Sequence, residues 1–195
     1  GESRPRTAMI VEGIVTTRYA DGSVNIAPMG PSVSLEWQRL ALRPFPTATT
    51  CANLLREKMG VFHVTDDCEL LARAAIDQLA GQPELAEIEQ FPVPRLADTC
   101  RWYAFRVESI DAAGPRVCLE CSIHSSGRVR DFLGFNRAKH AVLEAAIFAT
   151  RVHLLSAESL RGEFDRLRVI VEKTAGDQER RGFAVLEEFV RARLA

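Results

Sequence analysis

The first half of the chain alternates apolar and polar positions with the period of two that a half-buried strand requires. Residues 8–17 are rich in β-branched side chains, Asp21-Gly22 is a hairpin signal, and Val24 and Ile26 alternate with Ser23 and Asn25 on a returning strand over 23–27. That run stops at Ala27-Pro28-Met29-Gly30-Pro31, where two prolines limit ladder pairing and Gly30 lets another group approach the backbone. An apolar run over 40–43 ends at Pro44 and predicts a strand with Arg43 at its mouth; residues 60–64 predict another. Between them Thr47-Ala48-Thr49-Thr50 leads into a helix over 51–58 that carries Asn53.

The period then changes. Thr65-Asp66-Asp67 opens a helix whose stripe is Cys68, Leu71, Ala72, Ala75 and Leu79, and residues 81–98, with Pro83, Pro92 and Pro94, read as a connection holding one short helix. Two strands follow over 101–110 and 116–124, with Tyr103, Phe105 and Val107 on one face of the first and Val117, Leu119, Cys121 and Ile123 on one face of the second. From Phe135 onward the pattern is helical, with Asn136 opening the first helix. Ala138, Ala141, Val142, Ala145, Phe148, Ala149, Val152 and Leu155 form one stripe, and two further stripes (Leu160, Phe164, Leu167, Val171; Phe183, Leu186, Val190) predict an antiparallel helical pair turning at Ala175-Gly176-Asp177. Strands first and helices last make this an α+β chain.

Charge and composition narrow the chemistry. With 25 Lys+Arg against 26 Asp+Glu, nothing points to nucleic acid or a membrane surface as partner. Five scattered cysteines are unlike a disulfide framework and fit a reducing cytoplasm. Residues 1–6 carry two arginines and a proline, and Glu12-Gly13 breaks the apolar stretch behind them, so no signal-peptide core forms; no run of about twenty apolar residues predicts a spanning helix. Cys118 and Cys121 stand three apart on a predicted strand and so face opposite ways, and the histidines at 63, 124, 140 and 153 show no ligand spacing, so no metal site is expected. Asp66 and Asp67 serve the helix dipole, and His63 is expected to be a strand residue with one satisfied ring nitrogen. No nucleophilic constellation emerges, and no catalytic residue is assigned.

The threonines are the exception to this bland picture. Capping is the commoner use of such residues, with one hydroxyl satisfying one backbone donor. It does not account for three threonines in four positions behind an arginine. A phosphate would use them all, taking bonds from hydroxyls and N–H groups while Arg43 supplies charge, and a strand broken by prolines would offer its backbone and Met29 to a flat apolar ring. This combination reads as a flavin mononucleotide (FMN) site.

Four blocks in order, MIVEGIVTTRYADGSVNIAPMGP, LRPFPTATTCANL, GVFHVTDD and GFNRAKHAVLEAAIFATRVHLL, resemble the family known as domain of unknown function 447, itself similar to the flavin-reductase-like, FMN-binding split barrels. The resemblance runs from about Met9 to at least Leu155. It implies a split β-barrel of about six strands over residues 8–135, after a tail over 1–7, with the helical region 136–195 packed on the barrel. It also implies FMN as cofactor, held by Ala27, Pro28, Met29, Gly30, Arg43, Thr47, Thr49, Thr50 and Asn53, with Asn136 and Arg137 able to reach it from their helix start. A helix cap and a solvated charge are the plain alternatives for those last two. Barrels of this kind pair, so a homodimer with the flavin at the subunit interface is expected. Two functions follow. One is a flavin-dependent oxidoreductase drawing hydride from NAD(P)H, which the absence of a Gly-x-Gly-x-x-Gly turn says is not held in Rossmann fashion. The other is a flavin- or deazaflavin-binding carrier or sensor without turnover.

Overall fold

The computed structural model describes residues 9–195, so the expected tail over 1–7 and the strand's first residue, Ala8, lie outside the described residues. Two compact units are present: the described residues through Thr65 with Pro83–Asp131, and Asp66–Gln82 with Phe132–Ala195.

The first unit is a curled antiparallel sheet of split-barrel type. Its strands are β1 (Met9–Ile10), β2 (Gly13–Arg18), β3 (Val24–Met29), β4 (Ser32–Val33), β5 (Arg39–Leu42), β6 (Met59–Val64), then, after the hairpin β7 (Leu85–Ile88) and β8 (Phe91–Leu96), β9 (Arg101–Asp111) and β10 (Cys118–Arg128). The sheet order is β1-β4-β5-β10-β9-β6-β2-β3, eight strands where the pattern predicts about six, because the short β1 and β4 are not legible as separate strands. One face carries Val15, Leu40, Leu42, Phe62, Phe105, Leu119 and Cys121, closed by Cys51 and Leu54 of helix α1 (Thr49–Glu57). Each such fully buried side chain contributes roughly 1.5–3 kcal/mol. The other face, with Val61 and Ala104, is covered by Ile88, Phe91 and Val93 of the β7–β8 hairpin.

Prolines account for both departures from the expected strands. Pro28 does not end β3, which stays in register with β2 to the Gly13–Met29 pair, because β3 is an edge strand whose outer side needs no donor. Likewise residues 81–98 form the hairpin and not a connection with a helix. β8 pairs on one side only, and the carbonyls of its Pro92 and Pro94 accept hydrogen bonds from Arg18 Nε (2.6 Å) and Thr16 Oγ1 (2.7 Å). Gly13 must be glycine, since a Cβ there would collide with the His63 carbonyl and the Phe62 ring.

His63 ties the hairpin to the sheet. It is fully buried, with Nδ1 2.9 Å from the Ile14 carbonyl while Nε2 accepts from the Leu96 N–H at 2.9 Å, so both nitrogens are used where one is expected. An accepting Nε2 fixes the proton on Nδ1. Burial drives its pKa down from the ordinary 6.5 to about 4, the Ile14 bond opposing and Arg95 adding to the fall. The unfolded chain therefore binds a proton below pH 6.5 that the folded chain refuses, and stability present above that pH is lost as pH falls toward 4. The expected loss is roughly 2 kcal/mol between pH 7 and pH 5. Urea midpoints should show this slope in the wild type and not in His63→Gln; an unchanged slope in the variant would assign it to other groups.

The second unit is helical: α2 (Cys68–Ala75), α3 (Arg137–Thr150), a 3-10 turn (Val152–Leu154), α4 (Ala157–Thr174) and α5 (Asp177–Leu194). Helix α2 ends before Leu79, which the expected stripe included. Helices α4 and α5 run antiparallel, joined by the Phe164–Phe183 ring contact (5.7 Å) and by Arg168 to Glu187. Lys139 of α3 bonds Glu179 of α5 at 2.5 Å and the Asp66 carbonyl at 2.9 Å, with the two charged side chains 11% and 8% exposed. Burial pushes the Glu179 pKa up, but its bonds to Lys139 and the backbone outweigh this and hold it below the ordinary value. Removing one charge strands the other, so Glu179→Leu should cost about 3–5 kcal/mol. Lys139→Met/Glu179→Leu should recover most of that loss, as urea denaturation would show. Among the described residues no helix is long and apolar enough to cross a membrane.

Candidate functional site

Helix α1 begins without a cap. Its N-cap residue is Ala48 (φ −73°, ψ 141°), which has no side-chain acceptor, and its first turn has no acid. None of the threonines therefore does the capping that is their usual work. The N–H groups of Thr49, Thr50 and Cys51 find no acceptor among the described residues, while Ala52 N–H already bonds Ala48 O at 3.2 Å. The positive end of the helix dipole is thus left uncompensated.

Three polar ties seat this helix on the β2–β3 hairpin. Buried Asn53 donates from Nδ2 to Thr17 Oγ1 (3.0 Å), and its Oδ1 accepts from Arg56. Arg56 also bonds the Arg18 carbonyl at 2.7 Å, and Asn25 Nδ2 donates to Thr50 Oγ1 at 3.2 Å. One N–H and the carbonyl of the Asn53 amide thus dock α1 on β2. Thr47 and Thr49 are exposed, and their hydroxyls make no hydrogen bond to a described residue; Thr50 is buried.

Alternation along β3 puts Asn25, Ala27 and Met29 on the α1 side, with Met29 packed against the core and Pro28 turned to the opposite face. The structure thus brings Ala27, Met29, Thr50 and Asn53 to one side of the hairpin. Gly30 is different: a Cβ there would lie 2.8 Å from a carboxylate oxygen of Glu12, so the group that approaches this backbone is Glu12. Arg43 follows β5 directly, is exposed, and its carbonyl accepts from Arg116 Nη1 at 3.3 Å. The Arg116 guanidinium lies 3.8 Å over the Phe45 ring, in the loop that leads to α1.

Asn136 and Arg137 belong to the helical unit. Asn136 is the N-cap of α3: its Oδ1 accepts from Lys139 N–H (3.0 Å) and its Nδ2 donates to the Thr174 carbonyl (3.0 Å). The plain alternative is what its amide does. Arg137 is exposed and unpaired among the described residues.

Tyr19, Asn25 and Arg116 were not singled out by sequence reasoning. Only Asn25 carried a signal, as a polar residue alternating with strand apolars just ahead of the prolines. Burial pushes the Cys68 and Cys121 thiols up to about 12 and raises that of Cys51, away from the thiolate form that a nucleophile needs. Among the described residues no group of three or more His, Cys, Asp or Glu could hold a metal ion.

Known structures share this architecture. An FMN-bound protein from Methanosarcina mazei superposes with a TM-score of 0.79 at 24% identity, over 95% of this chain and 97% of that one. The 2-nitrobenzoate 2-nitroreductase of Pseudomonas fluorescens gives 0.52 at 16% identity (66% and 68% covered). The styrene monooxygenase flavin reductase of Pseudomonas putida S12 gives 0.51 at 12% (62% and 82%). No curated protein matches the chain in sequence. Models of the family described as protein of unknown function DUF447 match at residues 11–130 for its N-terminal domain and at 136–188 for its C-terminal part, and the chain is therefore a member of that family.

Proposed function

We propose that this chain binds FMN, with the phosphate at the start of α1 and the ring along β3, and that it is a flavin-dependent oxidoreductase drawing on NAD(P)H. The observation that carries the reading is the uncapped start of α1. Three backbone donors and three threonines surround a helix end with neither cap nor acid, and Arg43 enters the same loop. The FMN-bound relative from Methanosarcina mazei supports it.

The residues present suit such a group. A dianion accepts bonds and donates none, matching the N–H groups of Thr49, Thr50 and Cys51 and the free hydroxyls of Thr47 and Thr49. Ala27 is small and Met29 polarisable, so that side of β3 can lie flat against a ring. Bound there, the isoalloxazine would supply the two-electron chemistry that no side chain of the site offers. The protein's part is to orient and shield. A carrier or sensor of a flavin or deazaflavin is the second reading; His63, the buried imidazole of this unit, is bonded at both nitrogens and is not available as a proton-transfer group. Steady-state NAD(P)H consumption by the purified protein, against a free-flavin control, separates the two.

Pairing is part of the proposal. On the short edge strand β1, Met9 and Ile10 are 54% and 65% exposed, and Leu35 is 62% exposed. An edge with apolar side chains is a ready pairing surface. A homodimer with the flavin at its interface is expected by light scattering, and a monomer that still holds flavin would contradict that arrangement.

For the phosphate, Thr49→Val, Thr50→Val and Arg43→Ala should each weaken FMN binding by ~1.5–3 kcal/mol, roughly tenfold to a hundredfold. Riboflavin has the same ring without the phosphate, so its affinity should hold. Fluorescence-quenching titrations with both ligands test this, and an equal loss for the two would remove the phosphate from α1.

A further inference from the structure

The turn between β4 and β5 carries Trp37 at φ 55°, in the left-handed region that glycine enters freely and a bulky side chain rarely does. Among the described residues, the other non-glycine positions in that region are Lys58, Asp77 and Gln90, all exposed and polar. Trp37 is half-buried. Its indole lies flat on Tyr103, with ring centres 4.1 Å apart and planes 9° from parallel, and its centre is 6.0 Å from that of Phe62. Both of those rings are buried, so the solvent-open part of the indole is on the side away from them, and no other ring or cation of a described residue lies over it. Hydrogen bonds clamp the turn in this shape. Trp37 N–H bonds the Ser34 carbonyl at 2.9 Å, the Ser34 hydroxyl accepts from the Gln38 and Arg39 N–H groups at 3.2 and 3.3 Å, and the Gln38 carbonyl accepts from Ile123 N–H at 3.1 Å. A turn that suits glycine thus holds the largest side chain, flat and half in solvent, and a backbone outlier of this kind points to a role for the group it presents.

We infer that Trp37 is a stacking platform for a planar, electron-poor ring, the chemistry shared by oxidised isoalloxazine and by nicotinamide. An indole face carries negative charge density, and offset stacking against an electron-poor ring is the arrangement it favours. The clamped turn presents that face already formed, so little order has to be imposed on binding. Met29, which lies on the side of β3 proposed above for the flavin ring, borders the same buried cluster as Trp37. The inference rests on the flavin and NAD(P)H reading and deepens it, by naming the side chain on which one of those rings lies.

The chain has two tryptophans, so an NMR spectrum shows two indole N–H resonances, assigned with Trp102→Phe. Trp102 packs against the cluster on the opposite face of the sheet and serves as the internal control. Riboflavin and nicotinamide mononucleotide are titrated separately. At least one should move the Trp37 resonance upfield to saturation while Trp102 stays in place; riboflavin alone assigns the platform to the isoalloxazine, and nicotinamide mononucleotide alone assigns it to the second substrate. Trp37→Leu should weaken binding of that ring ~3–10-fold, and Trp37→Phe, which keeps a flat face, should restore most of the loss. Circular dichroism checks that both variants fold, and the resonance test on the unsubstituted protein stands without them. A Trp37 resonance that neither ring moves, one that moves with protein concentration alone because a second copy covers it, or ring affinities equal in Trp37→Leu and wild type would overturn the platform. FMN bound with Trp37 unmoved leaves the flavin reading standing. No flavin binding at all removes that reading, and the nicotinamide mononucleotide titration then decides the platform by itself.

Discussion

A helix that starts without a cap leaves its first backbone donors facing outward, and in this chain that single local fact organises the candidate site. Ala48 cannot cap α1, no acid enters its first turn, and the nearest threonines leave the N–H groups of residues 49–51 alone. A free helix end costs about 1 kcal/mol relative to a capped one. The chain carries that loss while spending buried polar groups, Asn53 on Thr17 and Asn25 on Thr50, to hold the same helix end against β2 and β3. Stability alone would favour a cap at position 48. The arrangement is economical if an anion completes it.

The surrounding sheet is built to keep that corner rigid. Behind β2 the buried His63 bridges the Ile14 carbonyl and the Leu96 N–H, and the proline carbonyls of β8 take bonds from Thr16 and Arg18 of the same strand. β2 is thus fastened on one face by the hairpin and on the other by α1. Its neighbour β3 keeps an open edge. The site therefore pairs a fixed floor with one strand whose outer backbone groups remain available.

Much of this was legible from residue order. The β2–β3 turn at Asp21-Gly22, the long strands β9 and β10, and the stripes Leu160-Phe164-Leu167-Val171 and Phe183-Leu186-Val190 follow from period alone, and every residue of those two stripes is buried. Prolines misled, because Pro28, Pro92 and Pro94 mark breaks only where both sides of a strand must pair, and edge status is a tertiary property. At the site, the threonine cluster was visible but its capping role had to be tested in space. Asn53 docks its helix on Thr17 and Asn136 caps α3, contacts that residue order does not display. The Asn25–Thr50 bond joins β3 to the start of α1, twenty-five residues on, and spacing alone does not reveal it.

The central claim is that the backbone donors opening α1 receive the phosphate of FMN. Backbone amide NMR reads those groups directly. On titration with FMN the N–H resonances of Thr49, Thr50 and Cys51 should shift downfield, as amides do on bonding an anion, whereas riboflavin should move resonances along β3 and leave these three in place. Unmoved α1 amides on saturation with FMN, with the shifts concentrated elsewhere, would contradict the account.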